Sequence, residues 1–156
     1  MRLKIIAVGR LRSGPERELV ETYCTRLQSG LAGLGPLSLT EIDDRKDARQ
    51  VAHAFNESQA ARAKGARRIA LDETGQSLTT KALAERLAFW RDTGVSEAAF
   101  LIGGADGLGE EALKSADMVL SLGKLTWPHR LARAMIAEQL YRAASLLAGH
   151  PYHREG

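Results

Sequence analysis

The chain is organised around the segment Val119-Leu120-Ser121-Leu122-Gly123-Lys124-Leu125-Thr126-Trp127-Pro128-His129. An apolar run, a glycine and then a proline ahead of a long apolar-periodic segment predict a buried strand, a tight loop and the start of a helix. Residues 118–156 carry five basic and two acidic side chains and three of the four histidines, whereas the other residues carry 17 of each sign. A polyanionic partner is therefore predicted to dock around this loop, helix and tail.

Length and composition narrow the class of protein. The 156 residues are predicted to form one domain, 1–156, around a single core. A net charge of +3 and a sequence pI of about 9.2 favour a nucleic acid or an anionic small molecule over a basic partner. The single cysteine, Cys24, predicts a reducing compartment, the cytoplasm by default. The apolar run at 1–9 is too short for a signal peptide. The sequence contains no uninterrupted run of about 18 apolar residues, so no membrane span is predicted.

Strand-like and helix-like segments alternate along the sequence. Short apolar runs predict strands at 3–8, 37–42, 69–71, 98–102 and 118–122. Helical spacing predicts helices that begin at Pro15, carry Val51, Ala52 and Phe55, run from Lys81 to Arg91, begin at Glu110, and run from Pro128 to Leu147. A charged turn is expected at 43–47 and a second turn at 72–75. The predicted fold class is α/β, with a mostly parallel sheet flanked by helices on both faces.

Three loops follow the carboxyl ends of predicted strands: one after Leu71, one from Gly103, and one at 122–127. Ligands of open parallel sheets bind at these ends. The glycines lack the spacing of a dinucleotide fingerprint, and Gly123 has no upstream glycine at the spacing of a phosphate loop. The sequence therefore predicts a ligand without a polyphosphate. The loop 122–127 suits a flat heteroaromatic ring held by backbone hydrogen bonds between apolar walls.

Simpler explanations of these loops stay open from the sequence. The glycines at 103, 104, 107 and 109 allow close approach of backbone either to a ligand or to a neighbouring turn that only the chain path needs. Thr126 can be only a helix cap, and Trp127 only a core residue.

The last predicted helix carries a broad apolar face formed by Leu131, Met135, Ile136, Leu140, Ala143 and Leu147. Small residues off that face favour a second packed surface and hence a homodimer. The tail 149–156 is rich in groups that stack on bases or bind phosphate, although frayed chain ends are the common alternative. His150 and His153 are too few to hold a metal, so no metal site is predicted.

Five separated segments resemble one known family. They are Met1-Arg2-Leu3-Lys4-Ile5-Ile6-Ala7-Val8-Gly9, Ile102-Gly103-Gly104-Ala105-Asp106-Gly107, Ser121-Leu122-Gly123-Lys124-Leu125-Thr126-Trp127-Pro128-His129, Glu138-Gln139-Leu140-Tyr141-Arg142-Ala143 and Pro151-Tyr152-His153-Arg154. In this order they closely resemble the RlmH family, SPOUT-superfamily methyltransferases of large-subunit ribosomal RNA. The resemblance runs essentially end to end.

The resemblance implies a fold, an activity and a cofactor. It implies an S-adenosylmethionine-dependent homodimer with a C-terminal trefoil knot that methylates N3 of a pseudouridine in 23S rRNA, position 1915 in the family. Carried over residue by residue, it places the cofactor at Leu71, Gly103, Leu122, Gly123, Lys124, Leu125, Thr126 and Trp127. S-adenosylmethionine carries no phosphate, in agreement with the missing phosphate loops.

The reaction suggests roles for the remaining cationic residues. Removal of the N3 proton needs a base, for which His153 is the candidate and His129 the rival. We expect Arg154 to stabilise negative charge on the carbonyl oxygens that flank N3, and Tyr152 to position the nucleobase. In a dimer, this tail can complete the partner's site. The residues expected to hold RNA phosphates are Arg10, Arg12, Lys124, Arg130 and Arg133.

Three other functions remain alternatives at this point. They are a SPOUT enzyme that methylates a ribose hydroxyl, a ribosome-associated RNA-binding protein without catalysis, and a flavodoxin-like nucleotide-binding module.

Overall fold

The computed structural model describes residues 1–43 and 65–154, without the side chains of residues 153 and 154. The described elements are β1 (Arg2–Val8), α1 (Pro15–Arg26), β2 (Leu37–Ile42), β3 (Ala66–Ser77), α2 (Thr80–Asp92), β4 (Glu97–Ile102), α3 (Glu110–Ser115), β5 (Met118–Ser121), α4 (His129–Leu147) and a 3-10 turn (Pro151–Arg154). The helix predicted around Val51, Ala52 and Phe55, and all but the first residue of the turn predicted at 43–47, lie outside the described residues.

The five strands form one parallel sheet in the order β2-β1-β4-β3-β5. The central strand, β4, is buried along its whole length. Continuous apolar runs suit such strands because both faces of a parallel sheet are covered. The predicted parallel α/β sheet is confirmed.

Helices pack on both faces of this sheet. Alternate residues of a strand point to opposite faces, and so Ile5 and Ile6 belong to different cores. The larger core joins Ile5 to apolar residues of α1, α2 and α4, whereas the smaller core joins Ile6 to Ala112 of α3. Within 1–43 and 65–154, no helix is both long and apolar enough to cross a membrane.

The strand predicted at 69–71 is longer in the structure. Because β3 continues to Ser77, the prediction that it ends at Leu71 is wrong. Leu71 and Gln76 both pair with Leu120 of β5, so the residues between them bulge out of the ladder. Within the bulge, Asp72 Oδ1 accepts hydrogen bonds from the backbone nitrogen and the hydroxyl of Thr74, at 2.9 and 2.6 Å. The predicted turn therefore lies inside the strand.

Gly75 lets β3 return to β5 after the bulge. A Cβ atom at this position would lie 2.7 Å from the backbone of Val119 and Leu120. Only glycine permits so close an approach of two backbones. The turn signal in the sequence was correct, but it marks a bulge rather than the end of the strand.

Candidate active site

At one level of the sheet the chain leaves the ladder in three adjacent strands: at the bulge of β3 and at the carboxyl ends of β4 and β5. Leu71 of β3 pairs with Ile102 of β4 on one side and with Leu120 of β5 on the other. Neighbouring strands lie about 4.8 Å apart, so the segments that follow these residues emerge side by side. The three loops that the sequence analysis selected therefore meet at one edge of the sheet.

A cavity of about 310 Å³ lies where these loops meet. Six of the eight residues predicted to bind the cofactor line it: Leu71, Gly103, Leu122, Gly123, Thr126 and Trp127. The other two, Lys124 and Leu125, do not line it, and Leu125 is 69% exposed. His129, the rival base, also faces this cavity.

Several lining residues were not predicted from the sequence; they are Asp72, Glu73, Ile102, Gly104, Ala105, Gly107, Leu120 and Ala132. Asp72 and Glu73 directly follow the apolar run 69–71, and that position was the signal that could have identified these two residues. Among the described residues that line the cavity there is no lysine or arginine. Phosphate sites usually rely on cationic side chains or on backbone donors at a helix start. The described lining thus offers no cationic side chain to a phosphate, and its two carboxylates, Asp72 and Glu73, favour a ligand without a polyphosphate.

The glycine-rich loop after β4 packs on its own backbone. A Cβ atom on Gly103 would lie 2.3 Å from the carbonyl carbon of Gly107. The nitrogen of Gly107 donates to the carbonyl oxygen of Gly104 at 3.1 Å, and Gly107 has a φ of 75°, which favours glycine. Both explanations of these glycines apply, because the path of the chain requires them and the same loop lines the cavity.

Ser121 shapes the loop between β5 and α4. Its hydroxyl donates to the carbonyl oxygen of Gly123 at 2.8 Å and accepts from the nitrogen of Gly123 at 3.1 Å. Helix α4 begins at His129 without a side-chain cap, so Thr126 does not cap it. Trp127 is 38% exposed and does not fill the core. The simpler explanations of Thr126 and Trp127 are therefore wrong.

Tyr152 anchors the tail to the middle of α4. Its hydroxyl lies 3.1 Å from the Tyr23 hydroxyl and donates to Glu138 Oε1 at 3.3 Å. Its ring packs edge-on against Tyr141, with centroids 4.7 Å apart, and lies 5.0 Å from the Arg142 guanidinium carbon. Burial, the hydrogen bond with Tyr23 and the Glu138 carboxylate raise the pKa of Tyr152. The hydroxyl therefore stays protonated, and the tail is not frayed at this residue.

This anchor lies away from the cavity of the same chain. The cavity reaches His129 at the start of α4, whereas Glu138 and Tyr141 lie several turns further along. A rise of 1.5 Å per residue separates them from His129 by about 13 to 18 Å along the helix. The structure does not bring Tyr152 together with the cofactor residues within one chain. The side chains of His153 and Arg154 lie outside the described part, so their roles stay predictions.

Four of the five residues predicted to hold RNA phosphates are exposed: Arg10, Arg12, Lys124 and Arg130. Arg10 and Arg12 follow β1, whose Ala7 pairs with Ile102 of β4. They therefore leave the sheet at the edge that carries the cavity. Lys124 and Arg130 flank lining residues of the loop and of α4. All four follow or flank segments that line the cavity or end at its edge, and we call these four side chains the basic rim.

Arg133 does not belong to that rim. It is 1% exposed, its Nη1 donates to Glu41 Oε1 at 3.1 Å, and its Nη2 donates to the carbonyl oxygen of Val8. Burial lowers the pKa of Arg133, which the neighbouring Glu41 carboxylate opposes. RNA cannot reach a side chain so fully covered, and we remove Arg133 from the RNA-binding set. Its position on the helix gave no sign that a strand carboxylate would face it.

A second, larger groove of about 500 Å³ lies between α1, α4 and the start of α2. Its walls include Leu19, Leu131 and Met135, and Leu19 is 44% exposed. The groove shares three residues with the smaller cavity, which are Leu120, Leu122 and Gly123. The larger groove contains only two of the predicted cofactor residues, Leu122 and Gly123, whereas the smaller cavity contains six.

The fold and this strand-end cavity agree with a class of protein found by comparison. The family described as "Predicted SPOUT methyltransferase" matches residues 1–153, so the chain is a SPOUT methyltransferase. Relatives from Cereibacter sphaeroides (strain ATCC 17029 / ATH 2.4.9) and Roseobacter denitrificans, both named ribosomal RNA large subunit methyltransferase H, are 50% and 51% identical over 99% of each chain. The chain belongs to the ribosomal RNA large subunit methyltransferase H family. The resemblance noted from its motifs is confirmed.

Among solved structures, the SpoU methyltransferase AviRb from Streptomyces viridochromogenes, in complex with the cofactor AdoMet, matches with a TM-score of 0.48 and 15% identity. The match covers 90% of this chain and 57% of that chain. A likeness this distant bears on neither the ligand nor the substrate of the present protein.

Proposed function

We propose that this protein transfers a methyl group from S-adenosylmethionine to N3 of a pseudouridine in 23S rRNA. The observation that carries the proposal is the meeting of the loops after Leu71, Gly103 and Leu122 in one cavity. The relatives' printed names supply the class of RNA, and the motif resemblance supplies the atom that is methylated. The basic rim of Arg10, Arg12, Lys124 and Arg130 supports a polyanionic substrate.

The lining of the cavity fits the proposed cofactor. Leu71, Leu122 and Trp127 offer apolar walls to an adenine ring. Asp72 and Glu73 offer negative charge to a ligand that carries a sulfonium and an amino group. S-adenosylmethionine has no phosphate, in keeping with the absence of lysine and arginine from the described lining. When bound, it supplies the electrophilic methyl group.

The protein's own task is to orient the base and to remove a proton. His129 lines the cavity of its own chain and can accept the N3 proton. His153 is the competing base, and in the homodimer proposed below it serves the cavity of the partner subunit. Arg154 stabilises the negative charge that develops on the carbonyl oxygens beside N3. Because its hydroxyl is already engaged, Tyr152 holds the tail in position rather than contacting the nucleobase.

We further propose that the active form is a homodimer in which each tail completes the partner's cavity. The separation of Tyr152 from the cavity in one chain supports this arrangement. The groove that contains Leu19 and Met135 supplies an apolar surface for the second subunit, and it adjoins the cofactor cavity at Leu122 and Gly123. The C-terminal trefoil knot remains part of this proposal.

The proposed function is tested by incubating the protein with labelled S-adenosylmethionine and free 23S rRNA, large ribosomal subunits or whole ribosomes. We expect labelled N3-methylpseudouridine after nuclease digestion and mass analysis. A label on a ribose would instead identify a 2′-O-methyltransferase. Calorimetry that detects no binding of S-adenosylmethionine would indicate a non-catalytic RNA-binding protein. A yellow protein, or binding that requires phosphate, would indicate the flavodoxin-like alternative.

If the larger groove forms the dimer interface, a charge introduced into it should prevent dimerisation. Met135→Glu places a carboxylate on an apolar wall, and burial of an unpaired charge is strongly unfavourable. We expect the wild-type protein to have twice the 17.0 kDa mass of the chain in light scattering, and the variant to be a monomer.

Phe89→Glu is the matched control, because Phe89 is 62% exposed on α2 and does not line the groove. This variant is expected to remain a dimer. A Met135→Glu variant that dimerises as tightly as the wild type would rule out this surface.

A further inference from the structure

We infer that Arg133, Glu41 and Arg17 are positioning residues that fix the loop 9–14, so that Arg10 and Arg12 meet RNA phosphates in a preformed arrangement. The inference rests on the proposed RNA substrate and assigns roles to side chains that the proposed mechanism leaves unused. It also gives the buried Arg133 a function that differs from the phosphate contact predicted from sequence.

The inner support of the loop is the partly buried carboxylate of Glu41, whose side chain is 22% exposed. Glu41 Oε1 accepts a hydrogen bond from the backbone nitrogen of Leu11 at 2.7 Å. The same oxygen accepts from Arg133 Nη1 at 3.1 Å, and Arg133 Nη2 donates to the carbonyl oxygen of Val8. One ion pair thus connects α4, the end of β1, β2 and the loop. Leu11 itself is 3% exposed and fastens the loop to the body of the protein.

The outer support is Arg17 of α1. Its Nη1 donates to the carbonyl oxygen of Leu11 at 2.7 Å and lies 3.4 Å from that of Arg12. Glu21 Oε1 accepts from Arg17 Nε at 2.6 Å and orients the guanidinium. Both polar backbone groups of Leu11 are therefore held by side chains from other elements, in a segment outside the strand ladder.

With these supports, the loop 9–14 holds Arg10 and Arg12 in a fixed arrangement. They flank the buried Leu11 and are both exposed. A preformed loop loses less conformational freedom when it binds than a mobile loop does. Glu41 is a carboxylate close to a surface proposed to bind phosphates, where its charge opposes binding. Its hydrogen bond to Leu11 explains that location, because the charge is neutralised by Arg133 while the oxygen holds the loop.

Two double variants distinguish an effect on the position of the loop 9–14 from effects on the net charge and on the stability of the protein. Glu41→Leu with Arg133→Met removes the ion pair, keeps the net charge and leaves the Leu11 nitrogen without its acceptor. Glu41→Gln with Arg133→Met makes the same change in charge but retains a side-chain oxygen for Leu11. Replacement of a buried ion pair by apolar residues of similar volume is often tolerated, so both proteins are expected to fold.

We call the two proteins the Leu–Met variant (Glu41→Leu with Arg133→Met) and the Gln–Met variant (Glu41→Gln with Arg133→Met). We expect the KM of the Leu–Met variant for the rRNA substrate to be about three- to tenfold higher than that of the wild type, which corresponds to the entropic cost of ordering a few side chains on binding. We expect kcat at saturating RNA, and the Kd for S-adenosylmethionine by calorimetry, to stay within about twofold. The slope of log affinity against log salt should not change, because no phosphate contact is removed. The Gln–Met variant keeps an acceptor for the Leu11 nitrogen but lacks Arg133, so its KM should lie between that of the wild type and that of the Leu–Met variant.

Equal KM values for the two double variants would overturn the inference, as would a parallel loss of cofactor affinity in the Leu–Met protein. The double variant Arg10→Ala with Arg12→Ala tests the proposed function separately. Loss of two phosphate contacts should flatten the salt slope by about two. If that slope is unchanged, the RNA-binding role of the rim fails. If it flattens while the Leu–Met variant binds normally, only the positioning role fails.

Discussion

A single methyl group added at Gly103 is expected to cost the protein most of its affinity for S-adenosylmethionine. In Gly103→Ala, the new Cβ would lie 2.3 and 2.4 Å from the carbonyl carbon and oxygen of Gly107. These atoms belong to the backbone of the same tight loop and cannot rotate away as a side chain can. The loop must open, which displaces one wall of the cavity. Overpacking of this kind costs about 1 to 3 kcal/mol, so calorimetry should find a Kd raised by roughly 10- to 100-fold.

Gly104→Ala is the matched control on the adjacent residue. Its Cβ would lie 3.3 Å from Cγ1 of Val8, a side-chain atom that can shift by a few tenths of an ångström. We expect near-normal cofactor affinity in this variant and a smaller loss of thermal stability than in Gly103→Ala. A Gly103→Ala protein that binds S-adenosylmethionine as the wild type does would mean that the glycine-rich loop forms no part of the cofactor site.

The sequence predicted the edge of the sheet that carries the site, because that prediction needed only local patterns. Apolar runs indicated the strands, and alternation with helices made them parallel. Parallel strands run toward a common edge, so the segments after Leu71, Gly103 and Leu122 were expected to meet there. For β3 that segment is a bulge inside the strand rather than a loop after its end. The sequence lacks the glycine spacing of phosphate-binding loops, which restricted the predicted ligands to those without a polyphosphate. The excess of basic residues in 118–156 predicted a polyanionic partner.

The sequence did not predict features that depend on contacts between distant segments. Gly75 looked like the end of a turn, but its role is to bring β3 back against Leu120. Arg133 looked like a surface cation because its partner, Glu41, lies 92 positions away on another element. Tyr152 looked like a base-stacking residue, yet it is held by Tyr23 and Glu138. In each case the contact is made with a residue that is distant in the sequence, so local patterns could not predict it.

Arg154→Ala is expected to lower kcat by about 100- to 1,000-fold, the usual effect of losing one group that stabilises developing charge. The Kd for S-adenosylmethionine should remain normal, because the cavity is built from other residues. A single-turnover assay with large ribosomal subunits or whole ribosomes, combined with calorimetry, measures both quantities. Equal losses of turnover and cofactor affinity would show that Arg154 supports the cavity rather than the reaction.

Mixed dimers test whether this tail acts on the partner's cavity. Subunits with Arg154→Ala keep an intact cavity, and subunits with Gly103→Ala keep an intact tail. If the tail acts across the dimer, each mixed dimer has one complete site. The assay uses an S-adenosylmethionine concentration above the wild-type Kd and well below the raised Kd of Gly103→Ala, so that both variants alone are nearly inactive. Random exchange makes half of the dimers mixed, so the two proteins should together recover about one quarter of wild-type activity. If the tail acts within its own chain, neither subunit of a mixed dimer is complete and mixing restores nothing. Recovery that fails even after unfolding and refolding the two variants together would therefore place the tail in its own chain's site, contrary to the geometry of Tyr152.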